Sequence, residues 1–226
     1  MQFIKAFDYK TFPRVESPNG RKYQISDDLL LPSVTTILSS TADHSGLDKW
    51  AESIGQIEAE RIKNESATLG TEVHTNLERY ILNEPLIGSF MSKTLAKTII
   101  RHGLNYIDEI WGSEVSLYYE NLWAGTTDGV GKQNGTPIII DFKNSRSMKE
   151  EIYVHDYYLQ LCAYILAHNW QYNTNISKGI IMIATRDAKY QEFILEGDKF
   201  HEYSEKWLDR VTQYHDKYQN VEKGLT

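Results

Sequence analysis

The sequence predicts an α/β protein in which a central mixed β-sheet is flanked by helices. Before residue 112, apolar residues recur at the spacing expected of amphipathic helices. From residue 113 the pattern changes to short stretches rich in β-branched and aromatic residues, which are typical of strands. Helical and strand-like stretches then alternate to the end of the chain. This order favours a layered α/β architecture.

The first part of the chain is predicted to be an arm followed by helices. Residues 1–45 form the arm, and their polar, turn-rich start predicts a short hairpin or an ordered segment. Ser33 follows Leu31-Pro32 and is placed to cap a short helix. Three longer helices are then predicted over about 47–62, 67–83 and 90–111, so that 47–111 is a mainly helical portion.

The second part supplies the predicted sheet. Strands are expected at 113–120, 122–131, 136–143, 178–185 and 190–196, with helices at about 149–168 and 198–218. Asn134-Gly135 is a hairpin-turn signal because both residues tolerate a positive φ. The sequence contains no internal repeat, low-complexity tract or Pro/Gly-rich linker. We therefore expect residues 1–226 to form a single domain.

Composition excludes several classes of protein. No apolar run approaches the roughly 18–20 residues of a membrane helix, so no membrane partner is expected. The single cysteine, Cys162, excludes a disulfide framework and an Fe–S cluster held by four thiolates. With 24 Lys and Arg against 31 Asp and Glu, the net charge of −7 argues against a protein that coats nucleic acid. The N-terminus lacks a signal core, which predicts a cytoplasmic protein of a bacterium or a phage-infected cell.

One strand brings two ionic side chains together. Side chains alternate along 136–143, so Asp141 and Lys143 are expected on one face and Ile138, Ile140 and Phe142 on the other. The preceding hairpin can bring Asp128 beside Asp141. Two carboxylates, the Phe142 carbonyl and water make an oxygen-rich site suited to Mg²⁺ or Mn²⁺. Such an ion polarises a phosphodiester and lowers the pKa of water.

The Asp-x-Lys triplet alone is weak evidence for a metal site. A second triplet, Asp187-Ala188-Lys189, lies in a predicted turn and is expected to be a solvated ion pair. A buried ion pair at a strand end remains the alternative for Asp141 and Lys143. His74 lies on the apolar stripe of its helix, where a hydrogen-bonded core histidine is the common case. Gln160 and Tyr164 are four residues apart and share a helix face.

Taken together, these residues resemble the RecB-like branch of the PD-(D/E)XK nuclease superfamily. That branch has a Gly-x-x-x-His helix, a Gly-x-x-Asp strand, an Asp-x-Lys strand and a Gln-x-x-x-Tyr helix. The four motifs stand here in that order, as Gly70…His74, Gly125…Asp128, Asp141-Phe142-Lys143 and Gln160…Tyr164. The segment 31–38 further resembles the opening of the mitochondrial genome maintenance exonuclease group and its phage and bacterial relatives.

The resemblance implies a restriction-endonuclease-like core and metal-dependent cleavage of DNA. It implies that the metal ligands are His74, Asp128, Asp141 and the Phe142 carbonyl. Lys143 would activate the attacking water, and Gln160 and Tyr164 would position the site or the scissile strand. Glu78, one turn after His74, matches an acidic residue of the family without an assigned role. Asn144 replaces the Thr or Ser that often follows the motif lysine, and the missing cysteines imply a member without an Fe–S cluster.

The expected partner is DNA that is single-stranded or has free ends. Replication or recombination proteins are candidates for further binding partners. Lys93, Lys97 and Arg101 form a basic stripe; a solvated helix face is its common explanation, and a track for phosphates is the functional one. The portion 47–111 would then form part of the substrate channel. Trp50 and Trp123 are candidates for contact with the substrate.

Two other functions are compatible with parts of the sequence. One is a nuclease fold kept as a non-catalytic DNA-binding or assembly module, which the intact Asp128, Asp141 and Lys143 set argues against. The other is an HD-type metal phosphohydrolase acting on nucleotides, suggested by His155-Asp156. That class needs several helical His and Asp ligands, which a strand-rich centre does not supply.

Overall fold

A computed structural model describes residues 1–223 of the chain. In these residues the helices are α1 Val34–Thr41, α2 Ser45–Ile54, α3 Gln56–Ile81, α4 Phe90–His102, α5 His155–Tyr172 and α6 Gly197–Lys223. The strands are β1 Gln2–Phe3, β2 Arg14–Ser17, β3 Gly20–Ser26, β4 Leu29–Pro32, β5 Glu109–Tyr119, β6 Trp123–Gln133, β7 Thr136–Ser145, β8 Gly179–Thr185 and β9 Tyr190–Leu195. None of the described helices is both long and apolar enough to span a membrane.

The main sheet has the order β1-β5-β6-β7-β8-β9. Strands β5, β6 and β7 pair antiparallel, whereas β7 and β8 pair parallel and β8 and β9 antiparallel. A parallel pair needs a crossover connection, and α5 supplies it between β7 and β8. The predicted mixed sheet flanked by helices is confirmed.

Side-chain alternation along β7 divides the core into two layers. Ile139 packs in a cluster with α1, α5 and α6 residues, whereas Ile138, Ile140 and Phe142 pack with α3 and α4 residues. The sheet is therefore covered on both faces, as its continuous apolar strands require. The predicted division of the strand into two faces is confirmed.

The N-terminal arm contains a small sheet of its own, in the order β2-β3-β4. Its buried Tyr23 and Leu31 pack with Ala124 of β6, which attaches this sheet to the main one. Ser33 then caps α1, since its hydroxyl accepts the backbone N–H of Thr36 at 2.9 Å. The expected hairpin and the expected cap are both confirmed.

The helical portion differs from its predicted bounds. Helix α2, at the place of the predicted helix 47–62, already ends at Ile54. Gly55, with a φ of 87°, separates it from α3, which continues unbroken to Ile81. The prediction that one helix covers 90–111, at the end of a helical portion 47–111, is wrong for the residues after 102. Helix α4 stops at His102, and β5 starts at Glu109. A β-carbon on Gly103 would lie 2.7 Å from Met182 Sδ and from the Tyr190 hydroxyl, so the chain passes β8 and β9 closely there.

Two predicted turns are present. Asn134 and Gly135 have φ values of 51° and 77°, the paired positive angles of a tight hairpin between β6 and β7. Asp187 and Lys189 form an ion pair in the turn after β8, with side chains 53% and 64% exposed. The second Asp-x-Lys triplet is thus a solvated pair, as expected.

Candidate active site

The candidate site lies where β6 and β7 separate. Their ladder ends at the pair Gly129 and Ile140, and Asp128 and Asp141 occupy the next position on each strand. The Asp128 carboxylate takes the place of the missing ladder partner, since its Oδ2 accepts the Phe142 N–H at 2.5 Å. A buried backbone N–H needs such an acceptor. The end of the ladder therefore fixes Asp128 beside Asp141.

Helix α3 brings His74 to Asp128. His74 Nδ1 donates to Asp128 Oδ1 at 3.0 Å, and the His74 side chain is 29% exposed. Burial lowers the pKa of His74, but the Asp128 carboxylate outweighs it and the pKa rises overall. Burial would likewise raise the pKa of Asp128, but His74, Lys143 and the Phe142 N–H hold it below its usual value. Asp128 is therefore ionised at neutral pH.

Glu114 joins this pair, and sequence reasoning missed it. On β5 its neighbours Ser113 and Val115 pair with Gly129 and Thr127, so Glu114 lies opposite Asp128. Ligand atoms of His74, Glu114 and Asp128 all lie within 4.8 Å of one another. Burial raises the pKa of Glu114, and Asp128 adds to that rise. The sequence contains no local signal for this contact, because the register between β5 and β6 is a property of the folded sheet.

Asp141 and Lys143 form a buried ion pair next to this cluster. Lys143 Nζ lies 2.5 Å from Asp141 Oδ2. The Lys143 ammonium is thus the partner of Asp141 Oδ2, which has no further hydrogen-bond partner among the described residues. Burial, helped by the charge of Asp128, raises the pKa of Asp141 to about 6 against the opposing effect of Lys143. Burial lowers the pKa of Lys143, but the two aspartates raise it overall, so the amine stays protonated.

Helix α5 holds Lys143 through a chain of hydrogen bonds. Lys143 Nζ donates to Gln160 Oε1 at 3.2 Å, and Gln160 Nε2 donates to the Tyr164 hydroxyl at 3.0 Å. The ammonium also lies 5.1 Å from the centre of the Tyr157 ring, within cation–π range. Gly125 is part of this packing, because a β-carbon there would lie 2.6 Å from Tyr164 Cε1. The structure thus brings the four motifs together, although the roles of their residues remain predictions.

Trp123, predicted to contact substrate, is a core residue, and that prediction is wrong. It is fully buried, stacks on Tyr119 with ring centroids 4.4 Å apart, and donates its Nε1–H to the Ala163 carbonyl at 3.2 Å. No face of the indole is open to a base. Trp50, by contrast, is 39% exposed on α2, so its contact with substrate remains a prediction.

The basic stripe lies on α4, which packs against α3 and β8. Lys97 and Arg101 are exposed and Lys93 is half-buried. Among the described residues, these three side chains form no ion pair. A phosphate track along them remains a prediction.

The HD-type alternative finds no support in the described residues. His155 pairs with the Tyr203 hydroxyl at 3.1 Å, and Asp156 lies 3.7 Å from Arg210. Neither belongs to a group of three or more His, Cys, Asp or Glu side chains with converging ligand atoms in residues 1–223.

The donor set fits a hard divalent cation. One imidazole nitrogen and carboxylate oxygens converge at His74, Glu114 and Asp128, and the Asp141 carboxylate on the neighbouring strand is paired with Lys143. Oxygen-rich sets of this kind suit Mg²⁺ and Mn²⁺. His74, Glu114 and Asp128, but not Asp141, line a cleft of about 410 Å³ together with Arg14, Gly70, Thr71, Thr75, Glu78 and Thr126. The Phe142 carbonyl as a further ligand remains a prediction.

The mixed sheet with helices on both faces and carboxylates where β6 and β7 separate defines a restriction-endonuclease-like α/β fold. The fold is similar to that of a provisionally named exonuclease from Eubacterium rectale, with a TM-score of 0.52 and 16% identity over 71% of this chain and 68% of that one. At this identity the similarity concerns the fold alone.

Two other crystal structures are more distant. The protein SSO0001 has a TM-score of 0.45 and 18% identity, covering 84% of this chain and 79% of its own. An alkaline exonuclease from Laribacter hongkongensis has a TM-score of 0.31 and 10% identity, covering 69% and 86%. No protein-family model matches the sequence, and no curated protein is similar to it.

Proposed function

We propose that the protein is a nuclease that uses Mg²⁺ or Mn²⁺ to hydrolyse DNA phosphodiester bonds, as an exonuclease acting on single strands or DNA ends. The observation that carries the proposal is the convergence of His74, Glu114 and Asp128 beside the Asp141–Lys143 pair. A carboxylate cluster that can hold a divalent ion, next to a fixed ammonium, is suited to phosphodiester hydrolysis. The similarity of the fold to a provisionally named exonuclease agrees with it.

His74, Glu114, Asp128 and Asp141 would hold the divalent ion. When bound, such an ion polarises the phosphodiester and lowers the pKa of water at the site. Asp128 is suited to this task because it stays ionised, and the Phe142 N–H fixes its orientation. His74 is held by its hydrogen bond to Asp128, which leaves its second ring nitrogen available as a ligand.

Lys143 would orient the attacking water and offset the negative charge that develops on the phosphate. It can do so because it remains an ammonium in a mostly buried site, where a fixed charge acts more strongly than in water. Gln160 and Tyr164 are positioning residues, since they act on Lys143 through hydrogen bonds. A role in DNA replication, recombination or repair would follow from such an activity.

The test exploits the two Asp-x-Lys triplets of the chain. Lys143→Ala is expected to lower cleavage of end-labelled single-stranded DNA by about 10²–10³-fold, as for the loss of one stabilising donor. Lys189→Ala removes the same side chain from the solvated pair in the turn after β8 and should cleave like wild type. Both variants are assayed with Mg²⁺, with Mn²⁺ and with EDTA.

Several outcomes would contradict the proposal. Equal activity of Lys143→Ala and wild type, or cleavage that persists in EDTA, would refute the assignment of the site. DNA binding without turnover in either metal would favour the non-catalytic module instead. Cleavage of closed circular single strands would replace the exonuclease by an endonuclease.

A further inference from the structure

The small N-terminal sheet places one cation in the active-site cleft. Strand β2 begins at Arg14, whose side chain lines the cleft that holds His74, Glu114 and Asp128. Arg14 is the only Lys or Arg among the described residues that line this cleft. The acidic cleft therefore receives its arginine from outside the main sheet.

Arg14 is held in place by a buried tyrosine. Its Nε donates to the Tyr23 hydroxyl at 3.1 Å, and its guanidinium carbon lies 5.8 Å from the centre of that ring. Tyr23 is 3% exposed, and its hydroxyl shares a hydrogen bond of 3.0 Å with Thr126 Oγ1. Thr126 precedes Asp128 by two residues on β6. The position of the guanidinium is thus coupled to the strand that carries Asp128.

Most of the hydrogen-bonding capacity of Arg14 is unused. A guanidinium has five N–H donors. In the part of the chain whose side chains the structure describes, the Tyr23 hydroxyl is the only acceptor to which Arg14 donates a hydrogen bond. Its Nη2 forms an ion pair with Glu114 Oε2 at 3.7 Å, a distance too long for a hydrogen bond, and the Arg14 side chain is half exposed. Arg61, in contrast, donates to both Glu58 and Glu65.

We infer that Arg14 contacts the substrate and binds a backbone phosphate of the DNA strand next to the scissile bond. The inference rests on the proposed function. A planar guanidinium with free donors matches two phosphate oxygens at once. A polyanion that enters a cleft containing Glu78, Glu114 and Asp128 meets repulsion, and Arg14 provides the opposing charge. The arm thereby acts as part of the active site.

The test compares Arg14→Gln with Arg21→Gln. Arg21 lies on the neighbouring strand β3, where its exposed side chain pairs with Glu16 at 3.1 Å, and it does not line the cleft. Binding of a fluorescent single strand is measured in Ca²⁺ at several salt concentrations, and kcat and KM are measured in Mg²⁺. Arg14→Gln should lower kcat/KM by about 10-fold or more, in line with losing one charged contact. Arg21→Gln should match wild type.

The salt dependence separates a phosphate contact from a structural role. Losing one phosphate contact should reduce the slope of log K against log salt by about 0.7 for a single strand. Thermal unfolding is followed in parallel. If Arg14→Gln does not fold, Arg14→Met retains the aliphatic stem and takes its place.

Two failures are distinguishable. If wild-type protein cleaves DNA and a folded Arg14 variant keeps both the wild-type slope and the wild-type kcat/KM, the inference about Arg14 is overturned and the proposed function stands. If wild-type protein cleaves no DNA in Mg²⁺ or Mn²⁺, the proposed function fails, and the inference fails with it.

Discussion

Replacing Gly125 by alanine is expected to disturb Lys143 from a distance, through one packed contact. The added β-carbon would lie 2.6 Å from Tyr164 Cε1, about 0.8 Å inside the 3.4 Å at which ordinary contact begins. The ring cannot move freely, because Tyr164 is only 3% exposed and Val34 Cγ2 would lie 3.2 Å from the new atom. The clash must therefore displace the tyrosine or the strand.

The magnitude follows from these distances. Overpacking a dense core costs about 1–3 kcal/mol, so the free energy of unfolding should fall by that amount in urea denaturation at pH 7. A ring shift of this size would also strain the 3.0 Å bond between the Tyr164 hydroxyl and Gln160, which in turn holds Lys143. Misplacing a reacting group by about 1 Å can cost about 10²-fold in rate, which single-turnover cleavage would detect.

Gly129→Ala is the matched control for stability. It lies on the same strand, but its β-carbon would meet Ile140 Cβ at 3.4 Å, which is ordinary contact. We expect this variant to change the free energy of unfolding by less than about 1 kcal/mol. If Gly125→Ala is as stable as Gly129→Ala and cleaves DNA at the wild-type rate, then Tyr164 is not confined as described, and the account of the glycine is wrong.

Two further predictions concern stability. His168 is fully buried, and burial lowers its pKa to about 4. The pKa of histidine in the unfolded chain is about 6.5, so as the pH falls the unfolded chain binds the proton first. The contribution of His168 to the free energy of unfolding is therefore fully present above pH 6.5 and is lost as the pH falls towards 4. The loss amounts to up to about 3 kcal/mol. In urea unfolding, the free energy of unfolding should fall less between pH 7 and pH 4.5 for His168→Gln than for wild type. Equal decreases in the two proteins would contradict this prediction. Ser33→Ala removes the cap of α1 and should lower the free energy of unfolding by about 1 kcal/mol. Ser33→Thr keeps a hydroxyl and should retain most of that stability in the same unfolding assay. Equal losses in the two variants would argue against the cap.

The sequence predicted the elements whose signals are local. The alternation along β7, the Asn134-Gly135 turn and the four-residue spacing of Gln160 and Tyr164 each depend on a few neighbouring residues. These signals were enough to place Asp141 and Lys143 on one face of the strand, and the structure shows that α5 lies on that face. The mixed character of the sheet was predicted because one helix connects β7 to the next strand, whereas the order of the strands is known only from the structure.

The errors came from non-local contacts. Ile107 and Ile110 fit helical spacing, yet α4 ends at His102, Gly103 packs closely against Met182, and β5 begins at Glu109. Trp123 follows a turn and carries no local sign of burial, but Tyr119 and Trp207 enclose it in the folded chain. Such contacts depend on the assembled sheet, and the periodicity of one segment contains no information about them.

Glu114 is the clearest case of a site residue that only the fold reveals, and its backbone supports a functional interpretation. It has a φ of 51° within a strand, and a left-handed conformation costs a residue other than glycine about 1–2 kcal/mol. Its carboxylate is also placed opposite the ionised Asp128, which raises the pKa of Glu114 further. Neither feature stabilises the protein by itself. Both are expected where a carboxylate is aimed at a ligand that the fold must hold, because local strain and unfavourable charge concentrate at functional sites.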